Sequence, residues 1–522
     1  MKTKNGIHPT GLLHTAVFLT LSLIASGVNA AQERQPNLVF IMADDHNQES
    51  ISAYQGRYAE IASTPNIDRL AAEGMLFRHM TTPNSLCAPS RAALISGKHS
   101  HLNGVRTNKD IFDGSQQTFP KLLQAAGYQT AIVGKWHLVS QPTGFDYYSV
   151  LPDQGRYHDP LFKWSGEPWQ NGKLGGTMVP GFGTDLITDQ AVDWLDNRNP
   201  SKPFFLMVHH KAPHGPHHPA PRHQDLFKDV AIPAPDNLLD DYEGRAIHPV
   251  SGNLRNNRLL QRTFKEYVEH GAIVKRLGRE KGTEHMYQVY MKGYLRLVAS
   301  LDENVGRLLD YLDEAGLREN TIVIYTSDNG FFNGEHGFYN KMWMYEESLH
   351  LPLLVRYPGV VQAGSESRQL ASILDFAPTF LDLAGASVPS NMQGTSLMPL
   401  LRGENQPIHD ALYYHYYFRQ TGQEPEHFGI RTATHKLVFY PDLKENNREL
   451  FDLRNDPAEM NNLYHQPEQQ EQIKALTRHL NILIKRYADD TARFPGAAAM
   501  GSLEADRNHG SVGPLTKSKA NE

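Results

Sequence analysis

The single cysteine of this chain, Cys87, sits in Leu86-Cys87-Ala88-Pro89-Ser90-Arg91-Ala92-Ala93-Leu94-Ile95-Ser96-Gly97. A lone cysteine forms no intrachain disulfide, so residue 87 is either a buried small hydrophobe or a side chain with chemistry of its own. Pro89 suits the first turn of a helix, and the alanine–leucine run after it favours continuation. Residue 87 then falls at or just before a helix N-terminus, where free backbone N–H groups favour an anion. Oxygen ligands lie elsewhere, in Asp44-Asp45 and in Ser327-Asp328-Asn329-Gly330. Adjacent carboxylates are costly unless a cation or a donor network compensates them. An all-oxygen set suits Ca²⁺ or Mg²⁺ better than zinc or copper, although the same sequences also cap helices and make turns. Cations and imidazoles come in Gly134-Lys135-Trp136-His137, in Lys211-Ala212-Pro213-His214 and at Lys341. His209, His210, His217, His218 and His223 crowd the second of these segments. Their spacing matches no helix-borne zinc site, and they read as solvated loop histidines.

These segments need elements to bring them together. Asn37–Met42, Thr130–Val133, Phe204–Val208 and Thr321–Tyr325 are short apolar runs that read as buried strands. Between them lie helical patterns, the clearest being Tyr287, Tyr290, Met291, Tyr294, Val298, Leu301, Val305, Leu308 and Leu312, closed by Gly316. Alternating strands and helices predict an α/β fold, with a mostly parallel sheet covered by helices on both faces. Ligands collect beyond the carboxyl ends of such strands, which is where Asp44-Asp45, Lys135–His137, His209–Lys211 and Asp328-Asn329 fall. From about residue 406 the texture changes. Short runs around 428–431, 436–440 and 449–453 predict a smaller antiparallel sheet, with a helix near 469–487.

The Cys-x-Pro-Ser-Arg-x-x-Leu-x-Ser-Gly run resembles the signature of the type I sulfatases, and the resemblance extends from Asn37 to about Tyr487. It implies an alkaline-phosphatase-like catalytic domain. It implies oxidation of Cys87 to formylglycine, whose hydrated form is the nucleophile. It also implies one divalent cation, calcium before magnesium, held by Asp44, Asp45, Asp328, Asn329 and residue 87. Arg91 then holds the formylglycine site, and Lys135 and His137 position the gem-diol. His137 is the candidate base for its collapse. His214 and Lys341 attend the ester and its leaving oxygen. Sugar contacts are expected from His336, Tyr157, His158 and His427.

Stretches such as Ser100–Val105, Phe112–Gln116, Pro142–Tyr147 and Met344–Ser348 look like bacterial carbohydrate sulfatases similar to N-acetylglucosamine-6-sulfatase. The implied substrate is a 6-O-sulfated N-acetylglucosamine of glycosaminoglycan or mucin fragments. The competitors are a sulfated algal polysaccharide, a phosphate or phosphonate ester, and non-catalytic binding of sulfated glycans. Asp328-Asn329-Gly330 replaces the Asp-Gln-Gly of many similar sequences, which leaves an amide oxygen in place. A formylglycine-generating or anaerobic sulfatase-maturing enzyme is the implied partner.

The bulk composition fits this reading. Apolar residues at 40% and charged residues at 21% of 522 are ordinary for a globular protein, and a net charge of −6 offers no footprint for nucleic acid. Lys2 and Lys4, the apolar stretch Leu12–Ile24 and Val28-Asn29-Ala30 read as a secretory signal over residues 1–30. The stretch is shorter than the ~20 residues of a spanning helix, so no stable membrane insertion is expected, and the destination is the periplasm or the exterior. The expected organisation is a catalytic domain over 31–405, an α+β subdomain over 406–490 and a flexible tail over 491–522.

Overall fold

The computed structural model describes residues 35–246, 265–417, 424–444, 447–492 and 494. The expected signal at 1–30 and nearly all of the expected tail lie outside the described residues. Ten strands form the main sheet: β1 (Asn37–Asp44), β2 (Met75–Thr81), β3 (Gln129–Lys135), β4 (Tyr147–Leu151), β5 (Leu161–Trp164), β6 (Thr177–Met178), β7 (Phe204–Pro213), β8 (Thr321–Ser327), β9 (His350–Arg356) and β10 (Ser365–Ser372). Their order is β10-β2-β9-β8-β1-β7-β3-β4-β5-β6. The centre, β8-β1-β7-β3-β4, is parallel. Strand β9 runs antiparallel to both its neighbours, and β5 and β6 extend the far edge in antiparallel fashion.

Strand β1 shows why the sheet is buried on both sides. Leu38, Phe40 and Met42 enter one core with Phe119, Phe376 and Phe380. Val39, Ile41 and Ala43 enter the other, with Ile187, Leu195, Leu301 and Leu308. A strand with apolar residues at every position has no solvent face, and its burial requires helices above and below. The helix Gly183–Asn197 supplies Ile187, Ala191 and Leu195 at four-residue spacing. The helix Arg279–Glu314 supplies Leu297, Leu301, Val305 and Leu308, and Gly316 follows its end at φ +66°. Fully burying each such large aliphatic side chain stabilises the fold by about 1.5–3 kcal/mol.

A separate antiparallel sheet of four strands follows, in the order β11 (Ala411–Tyr416), β12 (His427–Thr432), β13 (His435–Phe439) and β14 (Arg448–Asp452). The helix Gln470–Tyr487 lays Ile473, Leu476, Leu480 and Leu483 against Phe428, Ile430 and Leu437. The other face of this sheet meets the loop after β8, through Val438 and Tyr440 against Phe338, Trp343 and Met344. No helix among the described residues is long and apolar enough to cross a membrane.

Candidate active site

Because β7, β1 and β8 are adjacent and parallel, their carboxyl ends deliver His214, Asp44-Asp45 and Asp328-Asn329 to one rim. Strand β3 adds Lys135 and His137 beside β7. The approach of β3 is close: at Gly134 (φ +100°) a Cβ would stand 2.0 Å from the His209 carbonyl oxygen, so only glycine fits. Asp45 and His137 take left-handed backbone at φ 66° and 57°. Such conformations cost about 1 kcal/mol or more in non-glycine residues and redirect side chains where a strand ends.

Asp44, Asp45 and Asp328 are buried, and each presents an oxygen within 4.8 Å of the others. The Asp45 N–H donates to Asp328 Oδ1 at 3.3 Å. Asn329 Nδ2 donates to Asp45 Oδ1 at 2.6 Å, which leaves Asn329 Oδ1 buried without a partner among the described residues. An orphaned amide oxygen beside converging carboxylates fits a hard divalent cation, as the chemistry of the donor set requires.

The acids are threaded by bases. Lys135 pairs with Asp44, and Lys341 pairs with Asp45. Arg91 Nε donates to Asp328 Oδ2 at 3.0 Å, and Arg91 Nη1 donates to the Lys135 carbonyl at 2.7 Å. The arginine thus ties two strand ends together beside residue 87. Burial pushes the Asp44 carboxyl up, but Lys135, with His214, Arg91 and Lys341, holds it well below the usual range. Burial and the neighbouring Asp44 charge lift Asp328 to about 6 against the pull of Arg91 and Lys135. Like charges this close do not all ionise freely without a counter-cation.

Cys87 opens the helix Cys87–Ser96, all of it buried, with Leu86 as an extended N-cap that makes no side-chain cap. Its Sγ lies 3.0 Å from Lys341 Nζ and 3.7 Å from Asp44 Oδ1. The Ala88 N–H is held by Asn108 Oδ1 at 3.0 Å. Burial raises the thiol to about 12, although Lys135 and Lys341 pull it down. As a plain cysteine, residue 87 is protonated at neutral pH and a poor nucleophile. His214 Nδ1 donates to the Gly215 carbonyl at 2.6 Å, so its Nε2 faces Asp45 Oδ2 at 3.6 Å.

Several expectations need correction. His336 is fully buried, with Nδ1 2.8 Å from Asp240 Oδ2 and 3.0 Å from Arg245 Nη1. His427 is fully buried among Trp343, Tyr414, Tyr416 and Tyr440, with no face to offer a sugar. Tyr157 is buried too, and its hydroxyl donates to the His214 carbonyl at 2.6 Å, so it supports the His214 turn. Of the four expected sugar contacts only His158 is exposed. The histidines around His214 are not a solvated group either. His209 and His210 lie inside β7, and His217 packs on Tyr290, so three of them are buried. Apolar β7 carries the first two inward, a placement their polarity conceals.

Two residues gained no role from the sequence. Lys211 is buried over the Tyr157 ring, and burial together with Lys135 lowers it to about 8. Gln154, in the loop after β4, accepts from Lys135 Nζ at 2.6 Å and reaches His137 Nε2 at 3.2 Å. No motif announces it, because its place depends on the conformation of the loop.

A rim this rich in fixed cations around buried Cys87 suits a tetrahedral oxyanion, and its cluster of acids could hold a metal ion. That combination at the edge of a mixed α/β sheet defines a hydrolase of anionic esters. The chain belongs to the sulfatase family: residues 36–386 match the sulfatase model, and residues 334–486 match the N-sulphoglucosamine sulphohydrolase C-terminal model. It is therefore a sulfuric ester hydrolase. It is 42% identical over 529 residues to N-acetylglucosamine-6-O-sulfatase of Bacteroides thetaiotaomicron, covering 92% of each chain. It is 29% identical over 396 residues to human N-acetylglucosamine-6-sulfatase, covering 72% of this chain and 66% of that one. A protein solved in complex with its substrate D-glucosamine-2-N,6-O-disulfate superposes with a TM-score of 0.80 at 41% identity, covering 88% of this chain and 99% of that one.

Proposed function

We propose that the protein removes the 6-O-sulfate of N-acetylglucosamine or glucosamine units in glycosaminoglycan or mucin fragments, after export to the periplasm or beyond. Formylglycine at position 87 and a divalent cation, calcium before magnesium, would complete the site. The likeness to the 6-O-sulfatase and to the glucosamine disulfate complex supports the sugar. The observation that carries the chemistry is residue 87 itself, held between Lys341 Nζ at 3.0 Å and Asp44 Oδ1 at 3.7 Å.

The Cys87 sulfur stands where a hydroxyl of the hydrated aldehyde would lie. Asp44, Asp45, Asp328 and Asn329 Oδ1 would hold the cation, which supplies positive charge to the attacking hydroxyl and to the sulfate. Lys135 and Lys341 offer fixed N–H donors to sulfate oxygens, where charge develops as the bond to sulfur changes hands. Arg91 keeps Asp328 and the Lys135 backbone in register. His214 is held by Gly215 on its far nitrogen and turns its near nitrogen toward Asp45; it would protonate the departing sugar oxygen only when that near nitrogen also carries a proton, as an imidazolium beside the Asp45 carboxylate. Burial of the whole cluster keeps water from competing with these interactions.

The test is sulfate release by the matured full-length protein from a panel of position-defined sulfated sugars, with an aryl sulfate and aryl phosphate pair. The 6-O-sulfated glucosamines are expected to be the best substrates by at least about a hundredfold, a margin set by groups that recognise one position. Preferential release from a sulfated galactan, or faster cleavage of the phosphate, overturns the reading. Mass spectrometry of the tryptic peptide His79–Arg91 shows independently whether residue 87 carries an aldehyde.

A further inference from the structure

Gln154 lies between the catalytic cluster and a cavity of about 210 Å³ that it lines with Asp153, Arg156 and Lys173. Its loop is tightly shaped: Asp153 has φ 49°, Gly155 has φ 68°, and a Cβ on Gly155 would stand 2.7 Å from Leu151 Cδ1. The half-buried side chain makes two contacts whose chemistry leaves no choice of orientation. The ammonium of Lys135 only donates, so the amide atom 2.6 Å from it must be the oxygen. The amide nitrogen therefore faces His137 Nε2 at 3.2 Å. That nitrogen only donates, so Nε2 accepts from it, against the pull of the half-exposed Asp153 carboxylate, whose Oδ1 stands farther off at 3.8 Å. A neutral imidazole with Nε2 accepting carries its proton on Nδ1. His137 Nδ1 is buried and has no partner among the described residues. The charges of Lys135, Arg91, Asp44 and Lys341 act on this ring, and Lys135, Lys341 and Asp44 act on residue 87 as well.

We propose that Gln154 is a positioning residue that fixes His137 in the Nδ1–H tautomer, so that His137 meets the sulfate ester as a hydrogen-bond donor. The statement about sulfate rests on the function proposed above. The statement about the tautomer does not. A buried N–H without a partner is costly, by about 1–3 kcal/mol, and an oxygen of the sulfate or of the hydrated residue 87 would satisfy it. Burial, with the charges of Lys135 and Arg91, holds the ring well below the usual imidazole range and keeps it neutral. In this state His137 is not a free base at Nε2, the nitrogen that Gln154 occupies.

The experiment is a nitrogen-15 to proton correlation spectrum of the histidine rings in the full chain, with the His137 signals assigned by their loss in His137→Gln. The wild type is expected to show a protonated Nδ1 and an accepting Nε2. Gln154→Glu keeps an acceptor for Lys135 but cannot donate to His137. It is expected to move the proton to Nε2 and to lower kcat about tenfold or more, with KM within threefold. A wild-type ring protonated at Nε2 overturns the proposal, and so does a Gln154→Glu chain with unchanged tautomer and kcat. A protein that fails on 6-O-sulfated sugars yet shows the Nδ1–H ring refutes the substrate and leaves the tautomer standing.

Discussion

Two regions of this molecule bury clusters of acidic and basic side chains, and they do it in opposite ways. Beneath the C-terminal sheet, charges alternate. Lys436 lies between Glu346 at 2.8 Å and Glu459 at 2.7 Å, Arg431 pairs with Glu346 at 2.9 Å, and His350 meets Glu346 at 2.9 Å. Glu459 also accepts from the Glu346 N–H at 2.7 Å. At the rim of the main sheet, carboxylates instead converge on one another, and an amide oxygen is left without a donor. Alternating charges neutralise one another, even though Lys436 Nζ, Arg431 Nη1 and Glu459 Oε1 make no aligned hydrogen bond among the described residues, whereas converging like charges call for a counter-ion. Burial alone therefore does not mark a functional site; the arrangement of sign does.

The largest expected effect separates the two directly. Exhaustive chelation should lower sulfate release about a thousandfold or more, with calcium restoring it, because the rim acids are the group arranged to take a cation. Activity that survives chelation would break the contrast. Next, Lys436→Met should destabilise the fold by about 3–5 kcal/mol, the usual cost of leaving buried partners unpaired. Turnover by the folded fraction should stay within a few-fold of wild type, as read by urea unfolding alongside active-site titration. Lost kcat with unchanged stability would put the C-terminal network in the chemistry.

A third buried acid sharpens the comparison at smaller scale. Asp302 accepts from the Asn66 and Ile67 N–H groups at 3.0 and 2.8 Å and has no ion pair among the described residues. Burial raises it to about 6. A carboxyl raised on folding adds stability that is full below its unfolded value near 4 and is lost as pH rises through 6. The loss is on the order of 2–3 kcal/mol. Asp302→Asn should therefore gain Tm relative to wild type between pH 4.5 and 7. A difference that stays flat across that window refutes it.

How much of this was legible depended on where each residue sits. The runs at β1, β3, β7 and β8 could be read because an all-apolar strand ending in polar residues has few other interpretations. Strands β2, β9 and β10 carry Arg78, Pro352 or alternating polar residues, and they gave no such signal. The metal-side acids and Cys87 were visible as motifs. Gln154 was not, since a glutamine in a loop acquires meaning only when φ values at Asp153 and Gly155 aim it. His336 and His427 misled for the converse reason: polar residues expected at a surface are enclosed by aromatic rings, His336 by Phe338 and Tyr345 of its own loop and His427 by Trp343 of that same loop, far from it in sequence.

A strand made late in the chain touches the loop that carries Cys87. The His415 N–H donates to the Pro83 carbonyl, and the Tyr414 hydroxyl accepts from the Ser85 N–H at 3.3 Å, so β11 seals the loop that leads into Cys87. Cys87 is 1% exposed once that seal forms, so its thiol is presented to an outside reagent before the fold closes rather than after. Synthesis order then acts as a timer: residues near 83–91 emerge long before the strand that shuts them away, and that interval is when the thiol is open to chemistry from outside the chain.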